Sequence, residues 1–396
     1  MATVLVLDGH SFSALTIVRS LGRLGHRVLV ASTLPQAIAG RSRYAYEHLV
    51  AACSPEYART YVDWINQIYH SHAIDHLFWT TTASALALDR FRHRLSPSLL
   101  TDLPPTGVMS RAYDKLMTIE IARQLNIPVP QTWICDSGEE LAGLLSKIPQ
   151  DCIIKPKNSA AFVGDEIVNC GRHRYVRSRP ALCDAYTSLA AQHPRPIIQE
   201  FIAGYGFGIF LLMQDGEPVG AFAHRRIREA DPLGSGGCFR ISTALPEDAY
   251  VYAVSLLRAL KWRGGAMVEF KRDAKDGTAK LIEINGRFWL SLALCNIAGM
   301  DFPALLLRMK QGEKLPSTQS NYKVGVGSHW LGGEVMHLYK VMKGKPAEYP
   351  GEFPGRCTTL IQMMVDCLRY PRFDTFNFDD MRPAWCELRM LFRGQV

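Results

Sequence analysis

The sequence predicts an α/β protein of several packed units, and three observations carry that prediction. The chain opens on an apolar run, Val4-Leu5-Val6-Leu7, closed by Asp8-Gly9-His10-Ser11. A helical spacing of Leu15, Val18, Leu21 and Leu24 then leads through Gly25 to a second run, Val28-Leu29-Val30. This is a strand–helix–strand unit whose helix starts after a tight turn, where an anion or small polar ligand fits. Near residue 270 the pattern changes to two apolar strands joined through Asp276-Gly277, the mark of a hairpin. Finally, 396 residues with 47% hydrophobic and 21% charged side chains exceed one typical domain and suit two or three.

Between these landmarks the elements follow in order. A further strand–helix unit begins at Leu77-Phe78-Trp79, and Leu103-Pro104-Pro105-Thr106-Gly107 reads as a linker. Residues 112–125 have helical spacing and stop before Asn126-Ile127-Pro128. Ile153-Ile154-Lys155-Pro156 is a short strand closed by proline. Residues 197–213 read as two strands around a Gly-rich bend, 218–228 as another strand, 249–260 as a helix and 266–285 as the hairpin. After residue 315 the tail carries helical segments near 335–342 and 360–368, with no internal repeat or low-complexity stretch.

Composition narrows the partners. A formal charge of +8 favours anionic ligands such as nucleotide phosphates and carboxylates. The basic residues are dispersed, without a zinc-finger, RRM or basic-arm pattern, so no nucleic-acid partner is expected. G-x-G-x-x-G is missing after the first strand, which argues against a nicotinamide cofactor. The ten cysteines form no C-x-x-C pair and read as reduced, mostly buried small hydrophobes. Met1-Ala2-Thr3 runs straight into a strand pattern, and no stretch approaches the ~20 apolar residues of a membrane span. A cytoplasmic chain without leader or membrane span is the expectation.

The residues that could carry chemistry cluster in the second half. Glu283 and Asn285 sit two apart on Leu281-Ile282-Glu283-Ile284-Asn285, so both project from one face. Glu269 lies on the preceding strand, and the loop length decides its face. A two-residue Asp-Gly turn sends it to the other face of the sheet from Glu283, whereas a three-residue loop with Gly277 in the left-handed region brings the two carboxylates together. In the second register three oxygen-bearing side chains converge, as Mg²⁺ on nucleotide phosphates requires. The plain alternative, an edge hairpin with solvated acids, fits poorly with carboxylates that interrupt apolar strands. Arg287 follows on the same side and could grip a γ-phosphate, or could simply pair with the acids. Lys115 and Lys155 precede the hairpin. Gln199-Glu200-Phe201-Ile202, ahead of Gly204-Tyr205-Gly206-Phe207-Gly208, could offer backbone groups to an adenine edge between apolar walls from Phe201 and Ile202. Arg226, in His224-Arg225-Arg226-Ile227-Arg228-Glu229, leads into the glycine-rich 233–237 and could close over phosphates and an anionic substrate.

In this order the segments Tyr113-Asp114-Lys115, Ile154-Lys155-Pro156, 199–208, 224–237, Val268-Glu269-Phe270-Lys271 and 281–289 resemble the ATP-grasp superfamily, and within it the ATP-grasp carboligases of biosynthetic pathways. The resemblance spans roughly residues 110–310. It implies a pre-grasp domain over 1–105, a grasp domain over 106–315 with a small lid near 130–200, and a mainly helical extension over 316–396. It further implies ATP with Mg²⁺ or Mn²⁺ as cofactors. Lys115 and Lys155 would contact the α- and β-phosphates, and the backbone of Glu200–Ile202, beside Gln199 and Phe201, the adenine. Glu269, Glu283 and Asn285 would hold metal, and Arg287, Arg226 and Lys155 would act on the transferred phosphoryl group. The implied activity joins a small-molecule carboxylate to an amine through an acyl phosphate, with a homodimer left open; a small-molecule kinase, a carboxylase or a non-catalytic nucleotide-binding protein are the alternatives. Two positions depart from the superfamily pattern: Gly206 and Phe207 stand where many relatives place an acidic ribose contact, and 157–161 is an atypical phosphate loop. Replacing Glu283 by Gln is expected to leave metal-free stability unchanged or higher, because clustered acids repel.

Overall fold

The opening apolar runs pair as parallel strands in the computed structural model, which describes residues 1–100, 102–317 and 320–394. Glu47–Val50, Arg27–Ser32, Thr3–Val6 and His76–Phe78 lie side by side in that order, all parallel. Ser11 caps the first helix, Phe12–Arg23, by accepting the Ala14 N–H at 3.0 Å. Thr81 does the same for Thr82–Arg90. Both helix starts therefore sit at the carboxyl ends of the strands, the edge of a parallel sheet where ligands collect.

The helical spacing over 112–125 is interrupted. Helices Val108–Tyr113 and Lys115–Gln124 are separated by Asp114, which leaves helical geometry and caps the second helix through Leu116 and Met117 N–H. A small antiparallel sheet follows, ordered Thr132–Ile134, Ile197–Glu200, Cys152–Lys155, Arg174–Val176 and backed by helices Gly138–Leu144 and Arg179–Ala190. Its core is a separate apolar cluster around Ile154, Leu182 and Ile198.

The largest element is a six-stranded antiparallel sheet: Ala279–Asn285, Gly264–Asp273, Gly204–Gln214, Glu217–Asp231, Ser235–Thr243 and Gly327–His329. Its central strand alternates strictly. Ile209, Leu211 and Met213 join one core, and Phe210 and Leu212 another that continues into the N-terminal sheet through Phe288 and Trp289. Past that second core, the same face carries the polar residues of the cleft. The tail adds the last strand of this sheet and helices Leu331–Lys343, Arg356–Arg369 and Arg382–Phe392. Among the described residues no single helix is long and apolar enough to cross a membrane.

Candidate active site

The acidic hairpin reaches its geometry by neither of the two loops considered from sequence. Asp273 N–H donates to Thr278 O and Gly277 N–H returns to Asp273 O, both at 2.9 Å, so residues 274–277 form the loop, with Gly277 at φ +73°. This loop alone would set Glu269 opposite Ile282 and send Glu283 to the other face. A bulge corrects it. Phe270 pairs with Leu281 but Glu269 with Glu283, which leaves Ile282 as the extra residue. Met267 then pairs with Asn285, and Ile282, Glu283 and Asn285 all line one cleft of about 940 Å³.

Each acid has a different electrostatic setting. Arg226 grips Glu269 with two nitrogens, at 2.5 and 2.8 Å, and reaches Glu229 at 3.2 Å. Burial nevertheless holds the Glu269 carboxyl above its usual range, with Arg226 opposing the shift and Glu283 adding to it. Glu283 accepts from Asn285 Nδ2 at 3.0 Å, and Lys115, Asn285, Lys155 and Arg287 outweigh its burial, so its pKa is lowered. Arg287 is fixed by three contacts: Nε donates to Thr82 Oγ1 at 3.2 Å, Nη1 to Phe288 O at 2.9 Å and Nη2 to Asn285 Oδ1 at 3.3 Å.

The two lysines come from different layers and are held together by backbone. Lys115 N–H donates to Lys157 O at 3.0 Å, Asp114 bridges Asn158, and Lys115 Nζ reaches Ser159 Oγ at 3.0 Å. Lys155 ends its strand with its side chain on the same face as Ile153, toward the cleft. Burial, reinforced by Lys115, lowers its pKa to about 8 against the pull of Glu283 and Glu269.

At the other end of the cleft lie Gln199, Glu200 and Ile202. Glu200 is engaged: its Oε1 accepts from Gln131 N–H at 2.9 Å and Lys280 Nζ at 2.8 Å. Lys271 Nζ donates to Ile202 O at 2.7 Å. Phe201 stands outside the cleft lining, where sequence reading expected a wall. Its ring meets Tyr175 and Tyr349 edge-on at 5.9 and 6.0 Å, and those two tyrosines meet each other at 4.9 Å. Tyr175 Oη also donates to Leu233 O, tying the small sheet to the glycine-rich loop.

Apart from Phe201, every predicted residue therefore borders one space. Arg226 is the one whose surroundings differ most from expectation, since its guanidinium is occupied by two carboxylates. Sequence reading missed Lys271, Thr82, Tyr349 and Asp366 as parts of this region. Lys271 could have been found by the period-two spacing from Glu269; the other three come from distant segments and give no local signal.

A hard divalent cation fits the donors present. Glu269, Glu283 and the Asn285 amide offer only oxygen, as Mg²⁺ prefers. Among the described residues no group of three or more His, Cys, Asp and Glu side chains could hold a metal ion. Two carboxylates and an amide would therefore need phosphate oxygens and water to complete the shell.

Solved structures share this fold. N5-carboxyaminoimidazole ribonucleotide synthetase with ADP aligns over 86% of this chain and 85% of its own at a TM-score of 0.65 and 15% identity. The L-amino acid ligase of Bacillus licheniformis aligns over 80% and 75% at 0.58 and 18%. By sequence, the chain is similar to the D-alanine–D-alanine ligase of Acidovorax ebreus, 27% identical over 245 residues, covering 56% of this chain and 70% of that protein. The chain has the ATP-grasp fold. No family model matches it. In this ATP-grasp chain the central six-stranded sheet and the small sheet of 132–200 face each other across the cleft, with Lys115, Lys155 and the hairpin acids around it.

Proposed function

We propose that this ATP-grasp protein is an ATP-dependent ligase that phosphorylates a carboxylate and couples the acyl phosphate to an amine, releasing ADP and phosphate. The observation that carries the reading is the opposition of Glu269 and Glu283 across the bulge, with Arg287 and both lysines around them. The similarity to a D-alanine–D-alanine ligase supports the same chemistry.

In this reading Lys115 and Lys155 neutralise phosphate charge from the small-sheet side, and Arg287 holds the transferred phosphoryl group by its fixed guanidinium. Glu269, Glu283 and Asn285 would hold Mg²⁺, which would offset phosphate charge. Adenine lies along Gln199–Ile202 between Ile153 and Ile202. Catalysis is alignment, charge neutralisation and exclusion of water from a hydrolysable acyl phosphate. Glu269, now paired with Arg226, would be free to hold a cation if that guanidinium turned toward the phosphates. The domain division at 105 and 315, and a cytoplasmic location, belong to the same proposal.

The test is phosphate release from Mg-ATP with a panel of D- and L-amino acids, each as carboxylate and as amine. The expected products are ADP, phosphate and a new amide. AMP with pyrophosphate would point to adenylation, and a stable phosphorylated product with no amine requirement to a kinase.

A further inference from the structure

His224 is a buried side chain that the chemistry above leaves unused. It lies on strand Glu217–Asp231, is 2% exposed, and lines the cleft. Neither ring nitrogen has a hydrogen-bond partner within the protein. Its sheet row runs Glu283, Glu269, Gly208, His224, each paired to the next, so His224 shares the face of the acids. It stands two strand spacings, roughly 10 Å, across the sheet from Glu269. Gly208 between them leaves the surface low: a Cβ there would lie 2.8 Å from Phe210 Cζ and 3.4 Å from His224 Nε2. Phe210 meets the imidazole edge-on at 4.7 Å and Trp289 at 4.4 Å, which gives the subsite an aromatic floor.

The neighbouring charges define what can bind. Arg226 and Arg240 are the charged groups acting on the imidazole. Arg226 is held by Glu269 and Glu229, and Arg240 by Asp374 and by the Gly237 and Cys238 carbonyls. Ser242, the strand neighbour, gives its hydroxyl to Lys323 O. A neutral imidazole offers one N–H and one lone pair. Deep burial admits an uncharged amine to this imidazole, whereas an ammonium ion would lose its hydration there.

We propose that His224 forms the acceptor subsite, its ring nitrogen accepting a hydrogen bond from the reacting amine in its free-base form. This rests on the ligase reading above. The subsite lies away from the nucleotide end of the cleft, on the side from which a nucleophile can approach an acyl phosphate held at the acids. In the transfer step the amine lone pair forms the C–N bond. The bond from the acyl carbon to the phosphate oxygen breaks, and phosphate leaves with that electron pair and takes the surplus proton. His224 orients the amine and does not keep the proton, because burial, reinforced by Arg226 and Arg240, disfavours the imidazolium.

The experiment uses the carboxylate that gives the most phosphate in the amino-acid panel, with hydroxylamine and methylamine as acceptor probes. Positional isotope exchange in bridge-labelled ATP reports carboxylate phosphorylation without any acceptor. In His224→Phe the KM for hydroxylamine is expected to rise about tenfold, the effect of one lost hydrogen bond, while isotope exchange stays within about twofold. His224→Asn should recover part of the loss. An unchanged KM, or an equal fall in isotope exchange, overturns the subsite. No exchange in the unmodified protein overturns the ligase reading itself. The unmodified protein supplies a check that does not depend on variant folding. If the free base binds, KM for methylamine falls as pH rises and kcat stays level; a constant KM with rising kcat means that the ammonium ion binds, and overturns the proposal.

Discussion

Lys155 illustrates how one side chain's setting fixes a pH response. Its folded pKa, about 8, lies below the unfolded value of about 10.4, so the folded state binds fewer protons between those limits. Lys155 should therefore add a rise in stability of the nucleotide-free protein as pH climbs from about 8 to 10.4, and the difference between the pH profiles of the unmodified protein and Lys155→Gln should show it. Nucleotide affinity should move oppositely, weakening above about pH 8 as the ammonium is lost, which calorimetric titration with Mg-ATP can follow. Glu283 gives the second residue-scale expectation, and here the structure reverses the sequence argument. Its carboxylate balances Lys115, Lys155 and Arg287 more than it repels Glu269, because Glu269 already holds Arg226. A carboxyl with lowered pKa contributes stability above its unfolded value of about 4.3, and loses it as pH falls through the folded value. Glu283→Gln should thus lower the melting temperature of the metal-free protein at pH 7. Turnover should fall by a factor on the order of 10², as when a charge contact to a transition state is removed. Full turnover in that variant would remove Glu283 from the site.

At the scale of elements, the hairpin depends on two offsets that cancel: a four-residue loop and a one-residue bulge. The loop needs Gly277 at φ +73°, although a Cβ there would meet nothing within 4 Å. Gly277→Ala should therefore cost about 1 kcal/mol, a backbone effect alone, and leave turnover near normal. A large loss of turnover would mean that the loop itself contacts substrate. The alternation of acids and apolar residues made the meeting of Glu269 and Glu283 legible from sequence. The way they meet was not, since bulges follow from pairing with a neighbouring strand. The helix break at Asp114 escaped notice for a related reason. It sits inside helical spacing, and its contacts to Lys157 and Asn158 cross from another element. The strand Glu47–Val50, half-buried or exposed throughout, lacks the apolar run that marked its neighbours.

For the whole molecule, the part least legible in sequence is the tail. Its links are ion pairs across long separations: Arg228 with Glu334 and Asp366, Arg240 with Asp374, and Arg19 with Asp380. No periodicity announces such pairs, yet those of Arg228 fasten the strand that carries His224 and Arg226 to the tail, which also brings Tyr349 to the cleft. There Tyr349 closes a trio of rings with Tyr175 of the small sheet and Phe201 of the bend. Edge-on aromatic contacts are worth only about 0.5–1.5 kcal/mol each, so this corner can part and re-form readily. In the ligase reading, the trio governs stoichiometry. Water admitted past it would hydrolyse the activated intermediate, so Tyr349→Ala should release more than one phosphate per amide formed, even where the rate of ATP consumption is unchanged. A ratio that stays at one would show that the barrier to solvent lies elsewhere. Thrift with ATP would then be a property contributed by the far end of the chain, separable from the residues that carry out the transfer.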